Sequence, residues 1–117
     1  MYILYLEDEP NDAVLVDRFV RTKNYRLATV STIDEAQATL SEWPDMVFVD
    51  VMLNRVREGN AFVRYLRQQG YLKPIIAITG LTLYVDIQEC FDAGCDAVLT
   101  KPFAITQLAE IINRFST

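Results

Sequence analysis

The sequence predicts a single α/β domain in which helices cover both faces of a parallel sheet. Along the 117 residues, short apolar runs alternate five times with segments of helical periodicity. The apolar runs are nearly continuous, which is typical of parallel strands buried on both faces. Five such units joined by right-handed crossovers favour a doubly wound (βα)5 sheet in the strand order 2-1-3-4-5, the flavodoxin-like arrangement, over residues 1–117.

The first two units are bounded by turn and cap signals. Tyr2 to Leu6 is the first predicted strand, and Pro10 suits the first turn of a helix that runs to about Thr22. A second strand is predicted from Arg26 to Val30, and the capping-box pattern beginning at Thr32 starts the second helix. We expect this helix to end at the next proline, because apolar residues keep helical spacing up to it: Ile33, Ala36, Leu40 and Trp43.

The remaining three units repeat the pattern. Strand 3 is predicted from Met46 to Val49, and a polar loop from Asn54 to Gly59 leads into the third helix. Strand 4 is predicted from Pro74 to Thr79 and strand 5 from Ala97 to Thr100. Glycines end the third and fourth helices, at Gly70 and Gly94. The apolar stripes of the last three helices are Phe62, Val63 and Leu66; Leu83, Ile87, Cys90 and Phe91; and Ile105, Leu108, Ile111, Ile112 and Phe115.

The composition excludes several classes of protein. The chain has no histidine, which excludes Ser-His-Asp and Cys-His catalysis and imidazole zinc sites. Its 16 acidic against 11 basic residues argue against direct binding of nucleic acid. It has neither the apolar run of about 20 residues that a membrane span requires nor the basic region of a signal peptide. We therefore expect a cytoplasmic protein without membrane attachment, whose Cys90 and Cys95 are reduced apolar fillers.

Polar side chains follow four of the five predicted strands at one edge of the sheet. They are Glu7 and Asp8 after strand 1, Asp50 after strand 3, Thr79 at the end of strand 4 and Lys101 after strand 5. Ligands of such sheets bind at this edge, near the switch point between strands 1 and 3. Each residue alone has an ordinary explanation, such as a solvated helix N-terminus for the two acids after strand 1. Their joint placement predicts a functional site.

The three carboxylates predict a magnesium site, because they repel one another and resist full ionisation unless a cation lies between them. Thr79 and Lys101 add a hydroxyl donor and a cation, which suit a phosphoryl group. A carboxylate beside Mg²⁺ can act as a nucleophile toward phosphorus and form an aspartyl phosphate. Asp50 is the predicted nucleophile because it ends the central strand.

Over about residues 1–116, the sequence resembles the receiver domain of two-component response regulators. Four motifs at strand ends carry the resemblance: Leu6-Glu7-Asp8-Glu9, Val49-Asp50-Val51-Met52-Leu53, Ile78-Thr79-Gly80 and Leu99-Thr100-Lys101-Pro102-Phe103. It implies that Asp50 accepts a phosphoryl group from the phosphohistidine of a sensor histidine kinase or phosphotransfer protein. The phosphorylated domain would then switch its binding to a downstream target, and a phosphorylation-dependent dimer is left open. Self-phosphorylation and slow self-dephosphorylation are expected, not enzymatic turnover of a substrate.

The resemblance also implies roles for the individual site residues. The metal ligands that it implies are Asp8, Asp50 and the backbone carbonyl of Met52, with Glu7 acting directly or through water. Thr79 and Lys101 would contact the phosphoryl group. A cis bond between Lys101 and Pro102 would aim the lysine into the site, as an X-Pro bond permits.

Three side chains depart from the usual pattern of this family. Val98 stands where most members carry Tyr or Phe, so a switch that swings an aromatic ring is not expected at this position. Met52 and Leu81 stand where polar residues of the family help to position hydrolytic water. We therefore expect a long-lived phosphorylated state.

The loop after Asp50 is also unusual. Gly59 follows Asp50 by nine residues, one more than is usual in the family, and Asn54 replaces the usual proline. Arg55 and Arg57 lie in this loop. They are either a solvated tip or a contact for the phosphoryl group or a partner.

Two alternatives with the same sheet fit the residues poorly. A flavin carrier needs a phosphate-binding loop rich in Ser, Thr and Gly where this chain has Glu7-Asp8-Glu9. A magnesium-dependent hydrolase resembling haloacid dehalogenases needs a second aspartate where Met52 stands. The alternative that stays open is a receiver-fold interaction module that docks to a partner without phosphorylation. The sequence also leaves open whether the chain is a complete regulator or part of a larger protein.

Overall fold

In the computed structural model, which describes residues 1–53 and 56–116, the βα units form one parallel sheet between two layers of helices. The strand order is β2-β1-β3-β4-β5, as predicted. The strands are β1 (Tyr2–Leu6), β2 (Arg26–Val30), β3 (Met46–Val49), β4 (Ile75–Thr79) and β5 (Ala97–Thr100). The helices are α1 (Pro10–Thr22), α2 (Ile33–Ala38), α3 (Gly59–Gln68), α4 (Tyr84–Ala93) and α5 (Ile105–Phe115).

Alternate residues of the strands face opposite helical layers. In β3, Met46 and Phe48 belong to the core shared with α1 and α5, whereas Val47 and Val49 belong to the core shared with α2, α3 and α4. All four side chains are buried. Full burial of an apolar side chain of this size stabilises the fold by about 1.5–3 kcal/mol. The central strands are therefore well anchored, and they hold the residues at their carboxyl ends in place.

The apolar pattern predicts that the second helix runs to Trp43, but α2 ends at Ala38. At its end, both the N–H and the hydroxyl of Thr39 donate to Ala36 O, at 3.1 and 2.7 Å. In a continuing α-helix that carbonyl would accept from the N–H of Leu40. Thr39 therefore competes for the acceptor that the next turn needs, and the chain tightens into i→i+3 bonds.

The buried face of α4 also differs from the predicted stripe. Leu83 precedes the helix and is 67% exposed, and Phe91 is 43% exposed. Ile105, at the start of α5, is likewise exposed. The positions of α4 that face the core are Asp86, Cys90 and Ala93. A hydrophobic pattern cannot reveal this face, because its first member is a carboxylate.

Cys90 and Cys95 are free thiols and both are buried, in accord with the prediction of small apolar fillers. They meet at the end of α4, where the Cys95 N–H donates to Cys90 O at 3.1 Å. Gly94, between α4 and Cys95, permits this turn because it takes a φ of 123°. Within the described ranges, no helix has the length and apolar character needed to cross a membrane.

Candidate functional site

The carboxyl ends of β1 and β3 bring three carboxylates together. The register pairs Leu6 with Val49, so the residues that follow the two strands are neighbours at one edge of the sheet. Carboxylate oxygens of Glu7, Asp8 and Asp50 all lie within 4.8 Å of one another. Glu7 and Asp50 are buried and Asp8 is half-buried. The three predicted acids therefore share one site, here called the acidic cluster (Glu7, Asp8 and Asp50).

The ammonium group of Lys101 lies against the acidic cluster. Its Nζ donates to Glu7 Oε1 at 2.5 Å, to Asp12 Oδ2 at 2.8 Å and to Asp50 Oδ2 at 2.9 Å. The side chain is only 17% exposed. The peptide bond to Pro102 is cis, as the resemblance implies. All three N–H bonds of the ammonium group are therefore given to carboxylates.

Asp12 is a site residue that sequence reasoning does not identify. It lies in the first turn of α1, where an acidic residue is ordinarily explained by the helix dipole. Its partner Lys101 is 89 residues away in the chain. The sequence contains a weak signal, since Asp12 comes four residues after Asp8, but nothing in that spacing points to the lysine.

The charge state of the site is unusual. Burial and the neighbouring Asp50 carboxylate raise the pKa of Glu7 to about 8, although Lys101 acts in the opposite direction. The Tyr5 hydroxyl donates to Glu7 Oε1 at 3.3 Å, and burial raises the pKa of that tyrosine. Burial also disfavours the charged form of Lys101, but its three carboxylate partners outweigh this effect and raise its pKa. Glu7 therefore resists ionisation while the lysine stays charged.

The donor set fits a magnesium ion. Glu7 Oε2 is buried and has no hydrogen-bond partner among the residues that the structure describes. Mg²⁺ prefers oxygen ligands and retains several waters, so a few carboxylates suffice to hold it. Asp50 Oδ1 accepts from the Met52 N–H at 3.1 Å, which keeps the Met52 backbone beside the acidic cluster. Ligation by the Met52 carbonyl stays a prediction.

Thr79 lies at the same edge, and its hydroxyl is engaged locally. The residue is buried, and its Oγ1 accepts from the Leu81 N–H at 3.1 Å. Its carbonyl accepts from the backbone N–H of Lys101 at 2.8 Å, which ties the ends of β4 and β5 together. A hydroxyl that accepts one bond still has its own proton to donate. The predicted contact of this hydroxyl with a phosphoryl group stays a prediction.

The loop after Asp50 brings the chain back to the carboxyl end of β3. Leu53 and Val56 form an antiparallel bridge, with N–H···O distances of 2.9 and 2.8 Å. Gly59 then begins α3, and its N–H donates to Val51 O at 3.0 Å. A Cβ at Gly59 would lie 2.2 Å from Asp50 O. The glycine is therefore required for α3 to approach the backbone of Asp50.

The two arginines of this loop differ. Arg55, like Asn54, lies outside the described residues, so its role stays a prediction. Arg57 is directed to α4, where its Nη1 lies 2.6 Å from Asp86 Oδ1 and 3.9 Å from Glu89 Oε2. Because Asp86 is only 4% exposed, Arg57 supplies the countercharge of a buried acid. Arg57 therefore pairs with α4 while its side chain stays 53% exposed. Its contact with a phosphoryl group or a partner stays a prediction.

Comparisons with known proteins point to one family. A profile of the response regulator receiver domain matches residues 3–113. Transcriptional regulatory protein RprY of Bacteroides fragilis is 33% identical over 108 residues, which are 91% of this chain and 45% of RprY. Alkaline phosphatase synthesis transcriptional regulatory protein PhoP of Bacillus subtilis is 31% identical over 103 residues, which are 87% of this chain and 42% of PhoP. The chain thus spans less than half the length of these two curated relatives.

Solved structures share the fold. The BeF3-activated N-terminal receiver domain of Klebsiella pneumoniae RstA superposes with a TM-score of 0.90 at 22% identity, covering 99% of this chain and 98% of that chain. At this identity the likeness shows the fold alone. The receiver domain of a sensor histidine kinase from Pseudomonas aeruginosa is 29% identical, with a TM-score of 0.85 over 98% of this chain and 96% of that chain. That structure has a magnesium ion coordinated in its active site cleft.

Proposed function

The chain belongs to the response regulator receiver domain family, and from this premise we propose that Asp50 accepts a phosphoryl group in a Mg²⁺-dependent reaction. The phosphorylated domain then changes its binding to a partner. Receiver domains are signalling modules rather than enzymes that turn over a substrate. We propose that residues 1–117 act as one such module in the cytoplasm, with self-phosphorylation and slow self-dephosphorylation as its only reactions.

The surroundings of Asp50 carry this proposal. The residue follows the central strand, and its side chain is 9% exposed at the edge of the sheet. Its Oδ2 accepts from Lys101 Nζ at 2.9 Å and its Oδ1 accepts from the Met52 N–H at 3.1 Å. These donors hold the carboxylate in one orientation, with Glu7 and Asp8 beside it. A carboxylate held in this way is prepared to act as a nucleophile.

In the proposed reaction, a carboxylate oxygen of Asp50 attacks phosphorus, an O–P bond forms, and the bond from phosphorus to the leaving atom of the donor breaks. With a phosphohistidine donor, the leaving atom is an imidazole nitrogen. Lys101 Nζ and the Thr79 hydroxyl donate hydrogen bonds to the phosphoryl oxygens. The acidic cluster and the Met52 carbonyl would hold a Mg²⁺ ion, which would supply positive charge to offset the negative charge of the phosphoryl group.

The proposed donor is a sensor histidine kinase or a phosphotransfer protein. The curated relatives named above are transcriptional regulatory proteins, and a similar solved structure is a receiver domain of a sensor histidine kinase. Both contexts place a receiver in a larger signalling protein, so the downstream target of this chain is not assigned. A dimer that forms on phosphorylation is part of the proposal. Direct binding of nucleic acid is not, because the chain carries a net charge of −5.

Acetyl phosphate tests the proposal. With Mg²⁺, the intact mass of the wild-type protein should increase by one phosphate, and Asp50→Asn should show no increase. Asp8→Ala should need a higher Mg²⁺ concentration to reach the same rate, because a metal ligand is lost. Glu110→Gln removes an acid from an exposed position of α5 and should behave as wild type. A phosphate adduct that persists in Asp50→Asn would contradict the assignment.

One observation favours the alternative of a module that works without phosphorylation. Lys101 already donates all three of its N–H bonds to carboxylates, so the site is internally paired without a phosphoryl group. The alternative predicts that Asp50→Asn binds the partner as the wild-type protein does. The proposed function predicts that phosphorylation changes partner affinity and that Asp50→Asn does not respond. Partner binding measured with and without acetyl phosphate separates the two.

A further inference from the structure

Asp12 occupies a position that the proposed phosphoryl transfer does not use. Its carboxylate accepts from Lys101 Nζ at 2.8 Å, and its side chain is 42% exposed. The two other acceptors of the same ammonium group are much less exposed, at 0% for Glu7 and 9% for Asp50. Asp12 is therefore the partner of Lys101 that lies nearest to solvent.

A phosphoryl group on Asp50 brings new oxygen acceptors to Lys101, whose three N–H bonds are already used. If Lys101 keeps its bond to Asp50 and also donates to the phosphoryl oxygens, it has to give up one of its other two hydrogen bonds. Glu7 is a poor candidate, because its side chain is fully buried and its oxygen would be left without that hydrogen bond and without water to replace it. Breaking the hydrogen bond to Asp12 costs the least free energy, since water can solvate the exposed carboxylate of Asp12. Asp12 and Lys101 also line one solvent-open cleft of about 420 Å³, so water has access to this pair.

We propose that Asp12 is a positioning residue that holds Lys101 in the unphosphorylated domain and releases it to the phosphoryl group. The inference rests on the proposed function of Asp50. In this role Asp12 opposes the incoming group in two ways: it occupies one N–H of Lys101, and its charge repels an anion. Asp12 therefore lowers the affinity of the site for phosphoryl-like anions and slows phosphorylation by small anionic donors.

The expected effect is moderate, because Asp12 is partly solvated. For two like charges separated by about 5 Å in surroundings close to water, removing one of them changes the affinity for the other about threefold to fivefold. Asp12→Asn removes that charge and keeps a side chain of the same size. Asp12→Glu keeps the carboxylate and serves as the conservative variant. Glu110→Gln removes the same charge from an exposed position of α5 and serves as the remote control.

Beryllofluoride, a phosphoryl mimic, provides the test when it is titrated into these proteins at saturating Mg²⁺. We expect Asp12→Asn to bind it about threefold to fivefold more tightly than wild type does. Asp12→Glu and Glu110→Gln should stay close to wild type. The initial rate of phosphorylation by acetyl phosphate should rise in Asp12→Asn by a similar factor.

A titration with Mg²⁺ alone separates this role from a general loosening of the site. Asp12→Asn should bind Mg²⁺ no more tightly than wild type, because loss of a negative charge cannot favour a dication. If the substitution loosened the site in general, the variant would bind both Mg²⁺ and beryllofluoride less tightly than wild type does. If Asp12→Asn melts like wild type and its beryllofluoride affinity is unchanged or weaker, the inference is wrong while the proposed function stands. If the wild-type protein takes up neither beryllofluoride nor phosphate, both fail.

Discussion

The protonation of Glu7 changes the net charge of the site in the absence of a ligand. Its side chain is fully buried, and burial raises its pKa to about 8 from the ordinary value of 4.5. Between these two pH values the folded protein holds a proton that the unfolded chain has already lost. The free energy of unfolding of the metal-free protein therefore falls, through this group, as pH rises from about 4.5 to about 8, and this contribution levels off above that range.

Glu7→Gln should flatten this part of the stability curve, because glutamine does not titrate. Urea unfolding in the presence of a chelator, repeated across the same pH range, measures the slope. Glu58→Gln changes an exposed acid at the start of α3 and should keep the wild-type slope. An unchanged slope in Glu7→Gln would assign the pH dependence to another group.

Met52 and Leu81 are held in equivalent ways beside Asp50 and Thr79. The Met52 N–H donates to Asp50 Oδ1 and the Leu81 N–H donates to Thr79 Oγ1, both at 3.1 Å. Hydrolysis of an aspartyl phosphate needs a water aligned with the breaking P–O bond. The side chains of methionine and leucine offer such a water no strong hydrogen bond. We therefore expect slow loss of phosphate, since each 1.4 kcal/mol of barrier slows a reaction about tenfold.

The time course of phosphate loss tests this expectation in wild type, Met52→Asn and Leu81→Glu. Slow loss in wild type with acceleration of about tenfold in a variant would support it. Wild-type loss within seconds, or equal rates in all three proteins, would show that these side chains do not set the lifetime.

At the scale of elements, an ion pair joins the loop after Asp50 to α4. Arg57 Nη1 lies 2.6 Å from Asp86 Oδ1, and Asp86 is only 4% exposed. Removing one partner of a fully buried pair costs about 3–5 kcal/mol, because an unpaired charge stays behind. Arg57 is itself half-exposed, so water compensates in part and we expect Arg57→Ala to cost about 1–2 kcal/mol.

Urea unfolding of Arg57→Ala, Asp86→Asn and the double variant measures the coupling between the two residues. The double variant should be less destabilised than the sum of the single variants, because neither charge is left unpaired. Arg64→Ala removes an exposed arginine from α3 and should have little effect. Equal stabilities of Arg57→Ala and Arg64→Ala would show that the pair does not stabilise α4.

Because β5 carries Val98, a half-buried and β-branched residue, we expect a switch that does not swing an aromatic ring at this position. A two-state change has to come from contacts that differ between the states. The segment from Gly80 to Tyr84 joins Thr79 to α4, and Tyr84 is 82% exposed at the start of that helix. We expect amide exchange of this segment to change when beryllofluoride binds. A strong response of β5 with an unchanged Gly80–Tyr84 segment would contradict this.

The sequence predicts the strands better than the helical faces. Four strands have the predicted bounds, because continuous apolar runs between turn residues are unambiguous. The exception is β4, which begins one residue later than predicted, at Ile75. The end of α2 and the buried face of α4 depend on hydrogen bonds and ion pairs that apolar spacing does not encode. The acidic cluster follows from the rule that parallel strands end at one edge. The pairing of Asp12 with Lys101 does not follow from this rule, because it joins distant parts of the chain.

At the scale of the whole molecule, the doubly wound sheet holds one polar site between two apolar cores. Two sets of polar contacts link that site to other elements of the fold. Lys101 joins the ends of β1 and β3 to β5 and, through Asp12, to α1. The loop after Asp50 reaches α4 through Arg57. A phosphoryl group on Asp50 would alter the charge at the point where both sets of contacts begin, and this offers a physical route from phosphorylation to partner binding.

The chemical trapping of the aspartyl phosphate tests the central claim most directly. The protein is phosphorylated with acetyl phosphate and Mg²⁺ and then reduced with borohydride, which converts an acyl phosphate of aspartate to homoserine. Peptide mass spectrometry locates the change. We predict homoserine at position 50 and unmodified Asp8 and Asp12. Homoserine at either of those positions, or a phosphorylated protein in which Asp50 is intact, would contradict the account.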